Sequence, residues 1–305
     1  MDHPTVSPQL LRELHHRRDG PEARLFTFIA LYIASGAAIF WMVTTLYAGG
    51  WIYLICLPFY LLSAASLHGI SLFTHEAVHG TLCHNPGLNR ALGAVCAWPV
   101  LQNFSAYKVL HLRHHTHLGL PGDPDHYPNY TQWSRLLFAM HWGRLIAGYP
   151  AYIVAIPILG FRQGRGSERL WIVFEVACVA LMVCAAILSP IPRSLLIHAW
   201  LIPMLFINTL VNIRGMSQHT LLEHHSDEIL GTRSILTNPV TAYFMCNENY
   251  HLEHHLYPGI PWYNLPRLHR AMREDLIARG APYIDSYFAF VRDFALATLQ
   301  RCRRK

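Results

Sequence analysis

The sequence predicts an all-α integral membrane protein: a stem of four helices paired as two hairpins, carrying a helical cap on the cytoplasmic side. Three observations lead there. Of 305 residues, 52% are apolar and only 14% charged, well short of the roughly one quarter charged residues of a soluble domain. Four apolar runs (25–46, 51–73, 171–188 and 195–213) each come close to the roughly 20 residues that cross a bilayer as a helix. The links at 48–50 and 189–193 are so short that consecutive runs must return as hairpins.

Charge gives the orientation. Arg193 is the one charged residue in either link, whereas Arg12, Arg17, Arg18 and Arg24 precede the first run. Arg162, Arg165 and Arg169 precede the third, and Arg301, Arg303, Arg304 and Lys305 close the chain. By the positive-inside bias, both termini and the central segment are cytoplasmic. The net charge of +6 comes with no nucleic-acid recognition motif, so no nucleic-acid partner is expected. The seven cysteines form no CxxC pair or disulfide framework. The first apolar run is long and starts near Leu25, which argues against a cleavable leader.

Two further apolar stretches need placing. Residues 91–104 are too few to cross and are read as re-entrant or half-buried. The stretch 145–161 contains Gly148, Pro150, Pro157 and Gly160 and is read as an interfacial helix lying along the membrane. A fifth span is the alternative. The expected organisation is a cytoplasmic N-terminal segment (1–24), a membrane domain (25–270) and a cytoplasmic C-terminal helix or tail (271–305).

Eight of the 21 histidines fall into three boxes: HEAVH at 75–79, HLRHH at 111–115 and HLEHH at 251–255. The ligand candidates are His75 and His79, then His111, His114 and His115, then His251, His254 and His255. Spacings of three and four place imidazoles on one helix face, and imidazole suits Fe, Zn, Cu or Ni. Eight ligands exceed the needs of one ion and suit two. All three boxes fall on the cytoplasmic side of the expected stem, so they can converge. His219, just beyond the fourth run, is a ninth candidate. Glu76, Asp123, Asp125 and Glu253 are candidates to orient ligand imidazoles by accepting the second N–H, and Asn247 to help hold a bound water.

HEAVH alone also matches a zinc protease, with two histidine ligands and a glutamate base. Such a site needs three protein ligands and one open position, which leaves two boxes without a task. A metal transporter should carry its polar ligands inside the spans, whereas these boxes sit at span ends.

The set HEAVHG (75–80), HLRHH (111–115) and NENYHLEHHLYPGIPWYNLP (247–266), in that order and spacing, resembles the membrane fatty acid desaturase superfamily. The resemblance covers roughly residues 25–270. It implies that His75, His79, His111, His114, His115, His219, His251, His254 and His255 hold two iron ions. It implies O2 as co-substrate and a lipid or fatty-acyl substrate. No HPGG haem motif is present, so electrons are expected from an external donor of ferredoxin, rubredoxin or cytochrome b5 type. The expected reaction is desaturation of an acyl chain on a lipid or acyl carrier. Hydroxylation or ketolation of a lipid or carotenoid is the alternative on the same scaffold. Phe73, Phe104, Trp98, Trp262 and Tyr107 are candidate walls of a substrate tunnel, and Lys108, Arg113 or Arg267 are candidates to hold an acidic head group.

Overall fold

The computed structural model describes residues 6–17, 22–46 and 49–303; Arg18, Ala48, Arg304 and Lys305, named above, lie outside them. The chain starts with α1 (Pro8–His15), whose N-cap Ser7 accepts a hydrogen bond from Leu10 N at 3.2 Å. α2 (Glu22–Thr45) and α3 (Ile52–Val78) form the first hairpin. α3 runs five residues past the expected end of the second span, so His75 sits on its last turn and His79 caps it.

α4 (Pro86–Ala97) starts at Asn85, whose side chain accepts from Leu88 N at 2.9 Å. It folds back onto α3, with Thr74 Oγ1 donating to Gly93 O at 3.1 Å. The stretch read as half-buried is thus mostly a short helix clamped beside the histidine-bearing end of α3. A side chain at Gly93 has no room: its Cβ would lie 2.5 Å from Ala77 Cβ and 2.8 Å from Phe104 Cε2. Gly93→Ala is expected to destabilise the solubilised protein by about 1–3 kcal/mol, as overpacking does. Thermal unfolding in micelles checks this.

α5 (Phe104–His117) follows, then α6 (Ser134–Gln163), α7 (Ser167–Leu188) and α8 (Arg193–Leu196). α8 continues through a π turn at Ile197–Leu201 into α9 (Ile202–His219). Among the described residues five helical segments, not four, are long and apolar enough to cross a membrane, α6 being the addition. The helix expected over 145–161 is the second half of α6. Ala147 (φ −142°) breaks α6 just ahead of Pro150. Backbone groups freed at such a break must find partners inside an apolar layer. Asn208 of α9 supplies them, donating to Leu145 O at 2.9 Å and Ile146 O at 3.1 Å and accepting from Tyr149 N at 2.9 Å.

The main core joins α2, α3, α4 and α5 around Phe28, Leu67, Phe73, Ala97 and Phe104. Outward, the long helices expose apolar side chains such as Leu188 (83%) and Leu205 (71%), an apolar surface far beyond what a soluble monomer shows. The C-terminal part contains α10 (Pro239–Phe244), α11 (His251–Leu256), α12 (Leu265–Ala278) and α13 (Tyr287–Arg303). α12 runs across the expected boundary at 270. Two short strands, β1 (Ser234–Ile235) and β2 (Tyr283–Ile284), pair in parallel. α1 covers α11 and α12 through Leu14, Leu252, Leu268 and Met272, and Asn264 Nδ2 donates to Leu14 O at 2.7 Å.

Candidate metal site

Four helices deliver the nine candidate histidines. α3 brings His75 and His79, α5 brings His111, His114 and His115, α9 ends on His219, and α11 brings His251, His254 and His255. α5 is aimed by its first turn. Asn103 Oδ1 accepts from Ala106 N at 2.8 Å, and the buried Glu175 of α7 accepts from Ser105 N at 2.9 Å and from Ser105 Oγ at 2.6 Å. A carboxylate at a helix N-terminus is favourably placed against the helix dipole.

The rings form two groups. His75, His79, His111, His115 and His254 place one nitrogen each within 4.8 Å of one another, and so do His114, His219 and His255. His251 joins the second group, with its Nε2 3.1 Å from His219 Nε2 and 3.0 Å from His255 Nε2. Five and four imidazoles result. The groups abut where the rings of His115 and His255 stack at 4.1 Å.

The opposite ring nitrogens say what these groups are for. His219 Nδ1 donates to Gly231 O at 3.0 Å. His251 Nδ1 lies 2.9 Å from Glu248 Oε1. His114 Nδ1 donates to Asp123 Oδ1 at 2.9 Å. A neutral ring that donates from Nδ1 carries its lone pair on Nε2. Neutral rings at His114 and His219 therefore face each other, 3.3 Å apart, through two lone pairs. Two acceptors at that distance repel, and a cation between them reverses the sign. In the first group, His254 Nε2 is buried with no hydrogen-bond partner among the described residues, a costly state unless something binds it. The donor set thus fits metal ions of the kind that imidazole binds, iron, zinc, copper and nickel among them.

Titration agrees with that use. Burial, then neighbouring imidazoles, hold His111, His115, His254 and His255 well below the usual histidine range, so their lone pairs are free at neutral pH. Burial also lowers His114, but the Asp123 hydrogen bond and the Asp125 charge outweigh it and raise the ring. Asp123 is itself pinned by Gly119 N at 2.8 Å and Asp125 N at 2.9 Å. Asp123→Ala is expected to weaken metal binding about 10–100-fold, read by titration against a competing chelator.

The remaining candidates sit elsewhere in the network. Glu76 Oε2 accepts from Thr81 Oγ1 at 2.6 Å and Trp262 N at 3.2 Å, and its Oε1 lies 3.8 Å from His75 Nδ1. The Asp125 side chain is exposed and forms no ion pair with a ligand histidine. Glu253 supports α11 from behind, accepting from His269 Nδ1 at 2.6 Å and Tyr283 Oη at 3.0 Å, so it orients no box imidazole. Asn247 Nδ2 donates to Trp262 O at 3.2 Å, and its backbone is left-handed (φ 55°).

That turn presents Glu248, which the sequence reading passed over. Glu248 is 2% exposed. It pairs with Arg214 and accepts from Gln218 Nε2 at 3.1 Å. Burial opposes its ionisation, but Arg214 and His251 override this and hold the carboxyl well below the usual range. Its Oε1 is also 3.7 Å from His75 Nε2, so one buried anion stands between the two groups. A carboxylate three residues before a box histidine was the available signal.

A cavity of about 350 Å³ opens onto His75, His111, His114, His219 and His251. Tyr107 lines it as expected, whereas Phe73, Phe104 and Trp262 are packed in the core with Trp98 against them. The fatty acid desaturase family model matches residues 50–287. The dihydrorhizobitoxine desaturase of Bradyrhizobium elkanii is 26% identical, covering 81% of this chain and 75% of that protein. The sphingolipid delta(4)-desaturase of Xenopus tropicalis is 24% identical, covering 93% and 86%. A beta-carotene ketolase of Paracoccus sp. (strain N81106 / MBIC 01143) is 27% identical, covering 65% and 72%. With the family model spanning most of its length and a histidine-rich site at its centre, the chain belongs to the fatty acid desaturase family and is an oxidoreductase.

Proposed function

We propose that this protein is an O2-dependent desaturase of a fatty-acyl chain, holding two iron ions in its two imidazole groups. The observation that carries this reading is the pairing of Nε2 lone pairs across the second group, next to a cavity able to admit a substrate. In the net reaction one CH2–CH2 unit becomes CH=CH, and O2 takes up those two hydrogens, two electrons and two protons to give two waters. The iron pair, when bound, supplies the oxidising power that no acid or base in the chain has. The electrons come from an external donor of ferredoxin, rubredoxin or cytochrome b5 type.

The protein's own residues bind, orient and exclude. Asp123 and Gly231 O fix the tautomers of His114 and His219. Glu248, paired with Arg214, sets its Oε1 2.9 Å from His251 Nδ1 and beside His75 Nε2, between the two groups. Tyr107, Tyr149 and Tyr152 of α5 and α6 line the cavity and narrow the path to the histidines. Zinc proteolysis has no support here, because HEAVH shares its site with the other two boxes.

The reading includes a membrane topology. The ends of α3 and α9 meet in one site, so an even number of crossings separates them. α6, α7 and α9 are three candidates, so one does not cross. α6 is the best choice: its kink at Ala147 rests on Asn208, and a Cβ on Gly160 would lie 2.6 Å from Ala106 Cβ on α5. Both ends of its second half thus pack on helices that carry box or near-box histidines. This supports an interfacial α6, a four-helix stem and a cytoplasmic site with both termini on that side.

The ketolase relative keeps a second reading alive, since ketolation can share the same first hydrogen removal. Lipid profiling with double-bond mapping separates the two. Cells expressing the wild type, but not His254→Ala, should gain a lipid lacking two hydrogens. A product that gains oxygen instead would replace the desaturase reading, and an unchanged profile in cells supplied with all three donor types would remove both.

A further inference from the structure

We propose that Arg144 is the anchor for an anionic head group, and that the substrate is an amphiphile with a carboxylate or phosphate at one end. This rests on the reading that the cavity beside the histidines is the substrate site, and it deepens that reading.

None of the cations named from the sequence reaches the cavity. Arg113 Nε donates to Gly122 O at 2.8 Å, Arg267 pairs with Glu13 at 3.3 Å, and neither they nor Lys108 lines the wall. Arg144 of α6 does line it, and so does Arg214. Their situations differ. Arg214 is neutralised by Glu248. Arg144 is half-buried and has no carboxylate partner among the described residues. Its guanidinium is therefore open to an anion that enters the cavity.

The side chain is also built into place. Arg144 Nε donates to Asn212 Oδ1 at 3.2 Å. Asn212 is held in turn by its Nδ2, which donates to Asn208 O at 2.6 Å. The guanidinium occupies the space left by Gly215, where a Cβ would come within 2.6 Å of Arg144 Nη2. The ring of Tyr127 lies 5.7 Å from the guanidinium carbon. Tying Nε leaves the terminal nitrogens for a ligand, and a planar fork of this kind matches a carboxylate or phosphate in two-point contact. Gly215 precedes His219 by four residues, about 6 Å along α9. An anion on Arg144 therefore starts its chain beside the histidine groups. Of the other carboxylates on the wall, Asp123 is committed to His114, Glu248 to Arg214 and His251, and Asp125 is exposed.

The test is ligand binding to the full-length, metal-loaded protein in micelles, with dodecanoate, dodecyl phosphate and dodecanol as probes. At least one anion should bind about tenfold or more tightly than the alcohol, the preference expected of a charge-assisted fork. Which anion does so identifies the head group. Arg144→Gln should remove the preference while dodecanol binding is unchanged, and Arg144→Lys should restore part of it. Equal binding of all three probes by the wild type overturns the proposal without needing a variant, as does a preference that survives in Arg144→Gln. Lipid profiling of cells reports separately on desaturation, so an enzyme that desaturates but shows no anion preference loses this inference and keeps the reaction.

Discussion

Replacing His219 with Ala is expected to abolish turnover and halve the bound metal while leaving the protein folded. His219 stands outside all three boxes, so this variant tests the nine-ligand site rather than the motif. Its Nε2 lies 3.3 Å from His114 Nε2 and 3.1 Å from His251 Nε2, at the middle of the second group. Without it the second group drops to three imidazoles, while the first keeps all five. Losing an orienting partner typically costs about 10–100-fold in affinity or activity, and losing the ligand itself should exceed that. Metal analysis of purified protein should fall from two ions per chain toward one, and product formation should fall more than about 100-fold. A variant that keeps two ions and its activity would make His219 a bystander. The helix itself should survive, because Ala is the strongest helix former and α9 is held upstream by Asn208 and Asn212.

How much of this was legible in the sequence depends on the range of the interaction. Ligand spacing is local: His111, His114 and His115 share a helix face at any register, so the boxes and the helices carrying them could be read directly. The four long apolar runs were legible for the same reason. α6 was harder. Its Pro and Gly residues argue against a straight span, and the physical answer is a long helix broken at Ala147. What makes that break tolerable is Asn208, about sixty residues away, and no local pattern announces it. The same holds for the supports of the site. Glu248 acquires its role from Arg214, 34 residues earlier, and Arg144 from Asn212 and Gly215 on another helix. Glu253, by contrast, looked like a ligand partner because it lies inside a box, yet one residue of helical phase turns it away, toward His269. Sequence proximity to a ligand predicts which helix a residue rides on, and the helical phase decides whether it faces the metal.

Arg214→Met is expected to be the most destabilising single change near the site. It strands Glu248, which is 2% exposed, with its main cation gone. Breaking a buried pair by removing one partner costs about 3–5 kcal/mol, far more than the pair's net worth. Measured on metal-depleted protein in mixed micelles, where a bound metal ion cannot stand in for the lost charge, the unfolding midpoint should drop accordingly. Two double variants then separate stability from function. Arg214→Met with Glu248→Gln removes both charges, so most of the stability should return. The Gln amide oxygen can still stand beside His251 Nδ1, and metal binding should largely persist. Arg214→Met with Glu248→Met should recover comparable stability, because matched apolar replacement of a buried pair is often neutral or better. It removes the oxygen that stands 2.9 Å from His251 Nδ1, however, and metal affinity should fall about 10–100-fold. If both double variants bind metal alike, Glu248 serves only as the counter-charge of Arg214. If the Met form alone loses metal, the task of the side chain at 248 is to hold the His251 ring, and Arg214 is there to balance the charge of the buried carboxylate that does so.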